Sequence, residues 1–149
     1  MNILMVCLGN ICRSPLAEGI LKSKIKNTNI TIDSAGTAGY HIGSLPDIRS
    51  IEIAEKYHID ISNQRARKFS MDDFNKFDTI YAMDNKNYQD LMILAETKKQ
   101  KNKIKLILNV LKNKEKNDVP DPYYGGDNGF EIVYQMLEEA CEKIALSLE

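Results

Sequence analysis

The sequence predicts an α/β protein in three layers: a four-stranded parallel sheet flanked by helices, with an anion-binding loop between the first strand and the first helix. Three observations predict it. The hydrophobic pattern switches repeatedly between the period of a strand and that of a helix. The strand-like runs are short and apolar, as parallel strands buried on both faces are. The polar segment CLGNICRS separates the first such run from a Ser-Pro helix start.

Taken in order, residues 2–6 (NILMV) read as a buried strand. Ser14-Pro15 opens a helix with Leu16, Ile20, Leu21 and Ile25 on one face. Serine as N-cap and proline at the first helical position define that start. Residues 30–34 (ITIDS) read as the second strand and 36–43 as a glycine-containing loop. Residues 46–57 read as a helix, capped by Ser44 or begun by Pro46. A short helix follows at 70–75, a third strand at 78–83 (DTIYAM), and a helix capped by Asp84 that runs to about Glu96. Residues 104–108 read as the fourth strand, 118–127 as a loop rich in Pro, Gly and Asp, and 128–148 as a long last helix. With no internal repeat and no low-complexity linker, residues 1–149 read as a single domain.

Composition excludes several classes. The 43% hydrophobic and 28% charged content is that of an ordinary globular chain, not of a disordered or fibrous one. A net charge of −1 supplies no basic field for nucleic acid. No apolar run approaches the ~20 residues of a membrane span. Residues 1–6 lack the basic start and long apolar stretch of a secretory signal. The cytosol is therefore the expected compartment, with a signal-independent route out of it left open. Three cysteines, Cys7, Cys12 and Cys141, suit free thiols in a reducing compartment better than a disulfide scaffold. His41 and His58 lie too far apart in sequence to suggest a metal cluster. Residues 98–116 carry eight lysines against one glutamate, and read as a solvated surface or a dock for an acidic partner.

The chemistry lies in Cys7-Leu8-Gly9-Asn10-Ile11-Cys12-Arg13-Ser14. Ligands of open parallel sheets bind at the carboxyl ends of strands. A helix N-terminus there offers unpaired N–H groups and a positive dipole end, and a curled loop of N–H groups adds to them. Gly9 allows close backbone approach, and Asn10 tolerates a left-handed turn. The loop is shaped for a tetrahedral oxyanion. The helix dipole, the loop N–H groups and Arg13 all favour the thiolate of Cys7, the nucleophilic form. Arg13 offers a planar fork that matches two phosphate oxygens. The Gly-Lys-Ser/Thr ending of a nucleotide-binding P-loop is absent from this segment. Asp121, between Pro120 and Pro122, is the candidate proton donor. Beside an anion and partly shielded, it is expected to hold its proton as a general acid must. Tyr123 and Tyr124 suit stacking on an aryl substrate.

The blocks VCLGNICRSPLAEG, DSAGTAGYHIG, DISNQRAR, FDTIYAMD and DPYYGG, in this order, resemble the low-molecular-weight protein tyrosine phosphatases. The resemblance spans nearly the whole chain. It implies a cysteinyl-phosphate intermediate on phosphotyrosine proteins and no metal or cofactor. By position it makes Cys7 the nucleophile, Arg13 the phosphate clamp and Asp121 the general acid, which returns as base for water. Residues Leu8, Gly9, Asn10, Ile11, Cys12, Arg13 and Ser14 would hold the phosphate. Ser14 would hydrogen-bond the thiolate, Asn10 shape the loop and Ser34 buttress Asn10. Leu8, Ile11, Tyr40, Tyr123 and Tyr124 would wall the pocket, and Cys12 would be the second loop cysteine, open to a redox role. Gln64 stands where many members have a histidine that supports the loop; its amide is expected to donate a similar hydrogen bond without the charge. A monomer or weak homo-oligomer is expected, without nucleic-acid or membrane partners.

Three rival readings share these residues. Phosphoarginine phosphatases resemble the chain except that threonine tends to occupy the Ile11 position. Thioredoxin-coupled arsenate reductases need two further relay cysteines, whereas only Cys141 lies beyond the loop. A catalytically silent phosphotyrosine-binding module would not need Cys7, Arg13 and Asp121 together.

Overall fold

The computed structural model describes residues 1–27, 29–112, 118–124 and 128–148. Its sheet has four parallel strands in the order β2-β1-β3-β4: β1 Asn2–Cys7, β2 Thr31–Gly36, β3 Thr79–Ala82 and β4 Ile104–Leu106. The strand pleat sends alternate side chains of β1 to opposite faces. Ile3, Met5 and Cys7 join one apolar cluster, and Leu4 and Val6 the other. The first cluster is built with α1 (Arg13–Lys24), α2 (Ile48–Lys56) and α6 (Gly129–Ser147). The second uses α3 (Asp73–Lys76) and α4 (Asn85–Leu94) with Phe69, Phe77 and Ala95. The three-layer expectation holds, and β1 ends buried at the sheet's centre with Cys7 opposite Gly36.

Several boundaries differ from the sequence reading. α1 starts at Arg13, with Cys12 in the N-cap position and no side-chain cap. Ser14 is not the cap and Pro15 is the third helical residue, because the Ser14 hydroxyl is spent inside the preceding loop. α2 begins at Ile48 and is capped by Asp47, whose carboxylate accepts from Arg49 N–H, rather than by Ser44 or Pro46. Asp84 caps α4 as expected. A short α5 (Lys98–Lys101), opened by a Thr97/Gln100 capping box, was not anticipated. β4 ends at Leu106, and the chain tightens into a 3₁₀ turn at Ile107–Leu111. The expected loop at 118–127 contains a second 3₁₀ turn, Pro122–Tyr124; its residues 125–127, with Lys114 and Lys116, lie outside the described set.

Gly36 shows why the end of β2 can sit so close to the loop. A Cβ there would lie 2.7 Å from the Leu8 carbonyl oxygen and 3.1 Å from Asn10 N. Thr37 and Ala38 N–H then bond the carbonyls of Cys7 and Leu8, so β2 continues into a strap beneath the loop.

Candidate active site

Cys7 closes β1 and Arg13 opens α1, so loop 8–12 spans a strand's carboxyl end and a helix N-terminus. Asn10 takes the left-handed backbone at φ 58° that curls this loop. Its amide is fixed on every side. Oδ1 accepts from Arg67 N–H at 3.0 Å. Nδ2 donates to Ser14 Oγ at 2.7 Å and to Ser34 Oγ at 3.0 Å. Ser34 in turn donates to Glu18 Oε1 at 2.6 Å, and Lys22 holds Oε2 of that buried carboxylate at 2.6 Å.

Ser14 Oγ accepts from Asn10 and shares a second hydrogen bond with Cys7 Sγ, 3.0 Å away. Asn10 N–H points at the same sulfur from 3.3 Å. The thiol thus sits between the Ser14 hydroxyl and the Asn10 N–H at the mouth of the helix.

Arg13 is 2% exposed. Nη1 bonds Asp84 Oδ2 at 2.6 Å and the Val119 carbonyl at 2.9 Å, while Nη2 lies 3.8 Å from Asp121 Oδ2. Burial works against the guanidinium charge, but Cys7, Asp84 and Asp121 outweigh it and hold the pKa above its ordinary value. Asp121 is partly open, and its carboxylate accepts from Tyr123 N–H at 3.0 Å. Asp118, three residues earlier, is committed elsewhere: both Asn85 N–H and Asn85 Nδ2 bond its Oδ1 at 2.8 Å.

One pocket of about 300 Å³ brings together Cys7, Leu8, Gly9, Ile11, Cys12, Arg13, Tyr40, Asp121 and Tyr123, with His41 added. His41 packs against Gly9, where a Cβ would meet its Cδ2 at 3.0 Å. Asn10, Ser14 and Ser34 stand behind the loop as buried supports. The Tyr124 side chain lies outside the described set. Burial, then Asp47, Cys7 and Asp121, push the Cys12 thiol up to about 12.

Gln64 does not hold the loop as expected. Its Nε2 donates to the Pro15 carbonyl of α1 at 3.1 Å, and its side chain lies beside Gly19 on the flank of that helix. Support for the loop comes instead from the Arg67 backbone N–H, fixed in place by Gly36 N–H on its carbonyl and by Asp33 and Asp73 on its side chain. Glu18, Asp84 and Arg67 were missed as site residues. Asp84 was read as a cap alone, and nothing near Glu18 in sequence signals its bond to Ser34.

A buried thiol hydrogen-bonded to Ser14 and to the Asn10 N–H, a buried arginine fork and a carboxyl in one cleft define a cysteine-dependent oxyanion site of the phosphatase type. The comparisons agree. The profile of the family described as "Low molecular weight phosphotyrosine protein phosphatase" matches residues 2–149. The low molecular weight protein-tyrosine-phosphatase YfkJ of Bacillus subtilis is 40% identical over 152 residues, covering 99% of this chain and 96% of its own. The human low molecular weight phosphotyrosine protein phosphatase is 40% identical over 145 residues, covering 94% and 90%. A crystal structure of DARP, a Drosophila arginine phosphatase, superposes with a TM-score of 0.93 at 34% identity, covering 100% of this chain and 98% of that one. The chain belongs to the low molecular weight phosphotyrosine protein phosphatase family.

Proposed function

We propose that the protein hydrolyses phosphotyrosine in proteins through a cysteinyl-phosphate intermediate. The single observation that carries the reading is the convergence of Cys7, Arg13 and Asp121 on one pocket. Cys7 Sγ attacks phosphorus; the S–P bond forms as the aryl P–O bond breaks. Arg13 and the loop N–H groups hold the non-bridging oxygens as charge shifts onto them. Asp121 gives its proton to the departing phenolate. A water then attacks phosphorus, Asp121 takes a proton from it, the S–P bond breaks, and inorganic phosphate leaves.

The walls favour an aryl ester. Leu8, Ile11, Tyr40 and Tyr123 present apolar surface around the anion site, which suits an aryl ring better than the short arm of phosphoserine. The similarity to an arginine phosphatase sustains phosphoarginine as the second reading. Cys141 counts against a reductase relay: it is fully buried in α6 with its thiol on the Ala17 carbonyl. The three free cysteines suit the cytosol. Among the described residues no helix is long and apolar enough to cross a membrane.

Rates on matched phosphotyrosine, phosphoserine and phosphoarginine peptides test this reading, alongside Cys7→Ser and Ile11→Thr. Phosphotyrosine is expected to lead by orders of magnitude, Cys7→Ser to lose turnover while still binding vanadate, and Ile11→Thr to gain relative activity on phosphoarginine. Turnover by Cys7→Ser would overturn the mechanism, and a wild-type preference for phosphoarginine would overturn the substrate.

A further inference from the structure

The segment carrying Asp121 has a fastening that the reaction scheme does not use. Arg49, the second residue of α2, spreads its guanidinium over two rings. Its Cζ lies 4.6 Å from the centroid of Phe130, in the first turn of α6, and 5.4 Å from that of Tyr123. Nη1 and Nη2 both reach the Tyr123 carbonyl at 3.5 Å. The other edge of the fork is anchored: Nε and Nη2 each bond the Asp47 carboxylate at 3.0 Å. Asp47 N–H, finally, bonds the Ile11 carbonyl of the anion loop at 2.8 Å.

These contacts form a continuous path from the anion loop to the acid. Ile11 holds Asp47, Asp47 holds Arg49, and Arg49 holds Tyr123 by its carbonyl and ring. The Tyr123 N–H holds the Asp121 carboxylate. A lysine cannot copy this clasp, because one ammonium cannot face two rings and bridge a carboxylate to a carbonyl in one plane. The Arg49 side chain is 43% exposed, so its work is not that of a core residue.

We propose that Arg49 is a positioning residue for Asp121, holding the Pro122–Tyr124 turn at the height over the anion loop from which the acid protonates the leaving group. The proposal rests on Asp121 being that acid. Loss of the clasp leaves the phosphate cradle intact and lets the acid drift, so its signature is a leaving-group effect without a binding effect.

The test compares wild type, Arg49→Met, Arg49→Lys, Asp121→Asn and the Arg49→Met/Asp121→Asn double variant on a series of aryl phosphates of rising leaving-group acidity. Inhibition by inorganic phosphate is measured in parallel. Both Arg49 variants are expected to lose about tenfold or more in kcat on phenyl phosphate and progressively less as the leaving group becomes more acidic. Their phosphate inhibition constants should stay within about twofold of wild type. In the Asp121→Asn background Arg49→Met should add no further steepening. A parallel loss across the series, a phosphate constant that rises in step with the loss, or full activity in Arg49→Lys overturns the proposal. If Asp121→Asn itself leaves the slope unchanged, the acid assignment has failed and the proposal falls with it. If Asp121→Asn steepens the slope and Arg49→Met does not, Arg49 alone is refuted.

Discussion

Asp84 Oδ2 lies 2.6 Å from Arg13 Nη1, so the arginine that would clamp phosphate arrives already half paired by an acid 71 residues away. The pair is nearly closed to water, with side-chain exposures of 3% for Arg13 and 20% for Asp84. Removing one partner of such a pair leaves an uncompensated buried charge, at a cost of about 3–5 kcal/mol. Asp84→Ala should therefore unfold at lower temperature in phosphate-free buffer. Phosphate, by supplying the missing anion, should restore more of that temperature than it adds to wild type. Thermal scans with and without phosphate decide it; an equal phosphate shift in both proteins means Arg13 does not depend on Asp84.

Asp121 and Asp118 make opposite predictions although only three residues separate them. Asp121→Asn should slow phosphoenzyme formation most for phenolic substrates and least for acidic leaving groups, within the ~10²–10⁴-fold range of a general acid. Breakdown of the cysteinyl phosphate should slow as well. Asp118→Asn should leave the leaving-group slope unchanged, because its carboxylate is bound to Asn85. A steepened slope in Asp118→Asn and a parallel one in Asp121→Asn would reverse the assignment.

Cys12 predicts a pH-dependent rescue from oxidation. A sulfenic acid on Cys7 can close on a Cys12 thiolate to a reducible disulfide, or oxidise further and be lost. With the Cys12 thiol pushed up to about 12, its thiolate fraction at neutral pH is small and grows about tenfold per pH unit. Peroxide-treated enzyme should thus regain more activity with dithiothreitol when the oxidation was done near pH 9 than near pH 7. Cys12→Ser should show no such rise. Equal recovery in both proteins at both pH values would leave Cys12 as packing.

Glu18 predicts a structural loss that reaches the site. It accepts from the Ser34 hydroxyl at 2.6 Å, and its side chain is 5% exposed. Glu18→Ala leaves that buried hydroxyl without an acceptor, at a cost of about 1–3 kcal/mol, and frees Ser34 to turn from Asn10. Stability should fall by that amount, and kcat on an aryl phosphate should fall with it as Asn10 and Ser14 loosen around Cys7. Glu18→Gln, which keeps an acceptor oxygen, should recover most of both. An unchanged kcat in Glu18→Ala would detach Glu18 from the site.

The parts of the site read from sequence are those whose partners are near in the chain or whose position in the fold is fixed by period. NILMV followed by CLGNICRS and a helix placed Cys7 and Arg13 at a strand-to-helix turn, and the Pro-Asp-Pro clamp singled out Asp121. What was misread depends on which of several partners a side chain takes in the folded loop. Ser14 has every mark of an N-cap, yet Asn10 and Cys7 claim its hydroxyl. Gln64 aligns with a loop-supporting histidine but settles on α1, while the neighbouring Arg67 backbone does that work. Glu18 carries no local sign of its bond to Ser34, which requires β2 to lie beside α1. The Thr97/Gln100 box was present in the letters but lost among lysines.

The Val119 contacts bear on how the protein is made. Val119 N–H bonds the Met83 carbonyl at the end of β3, and its own carbonyl takes the Arg13 guanidinium. Translation adds Cys7 and Arg13 well before Asp84 and Val119. Until then the guanidinium has none of these partners and the acid segment does not exist. Chemistry on phosphate esters is thereby withheld from the nascent chain, and a fragment released before residue 119 carries the nucleophile without the means to use it.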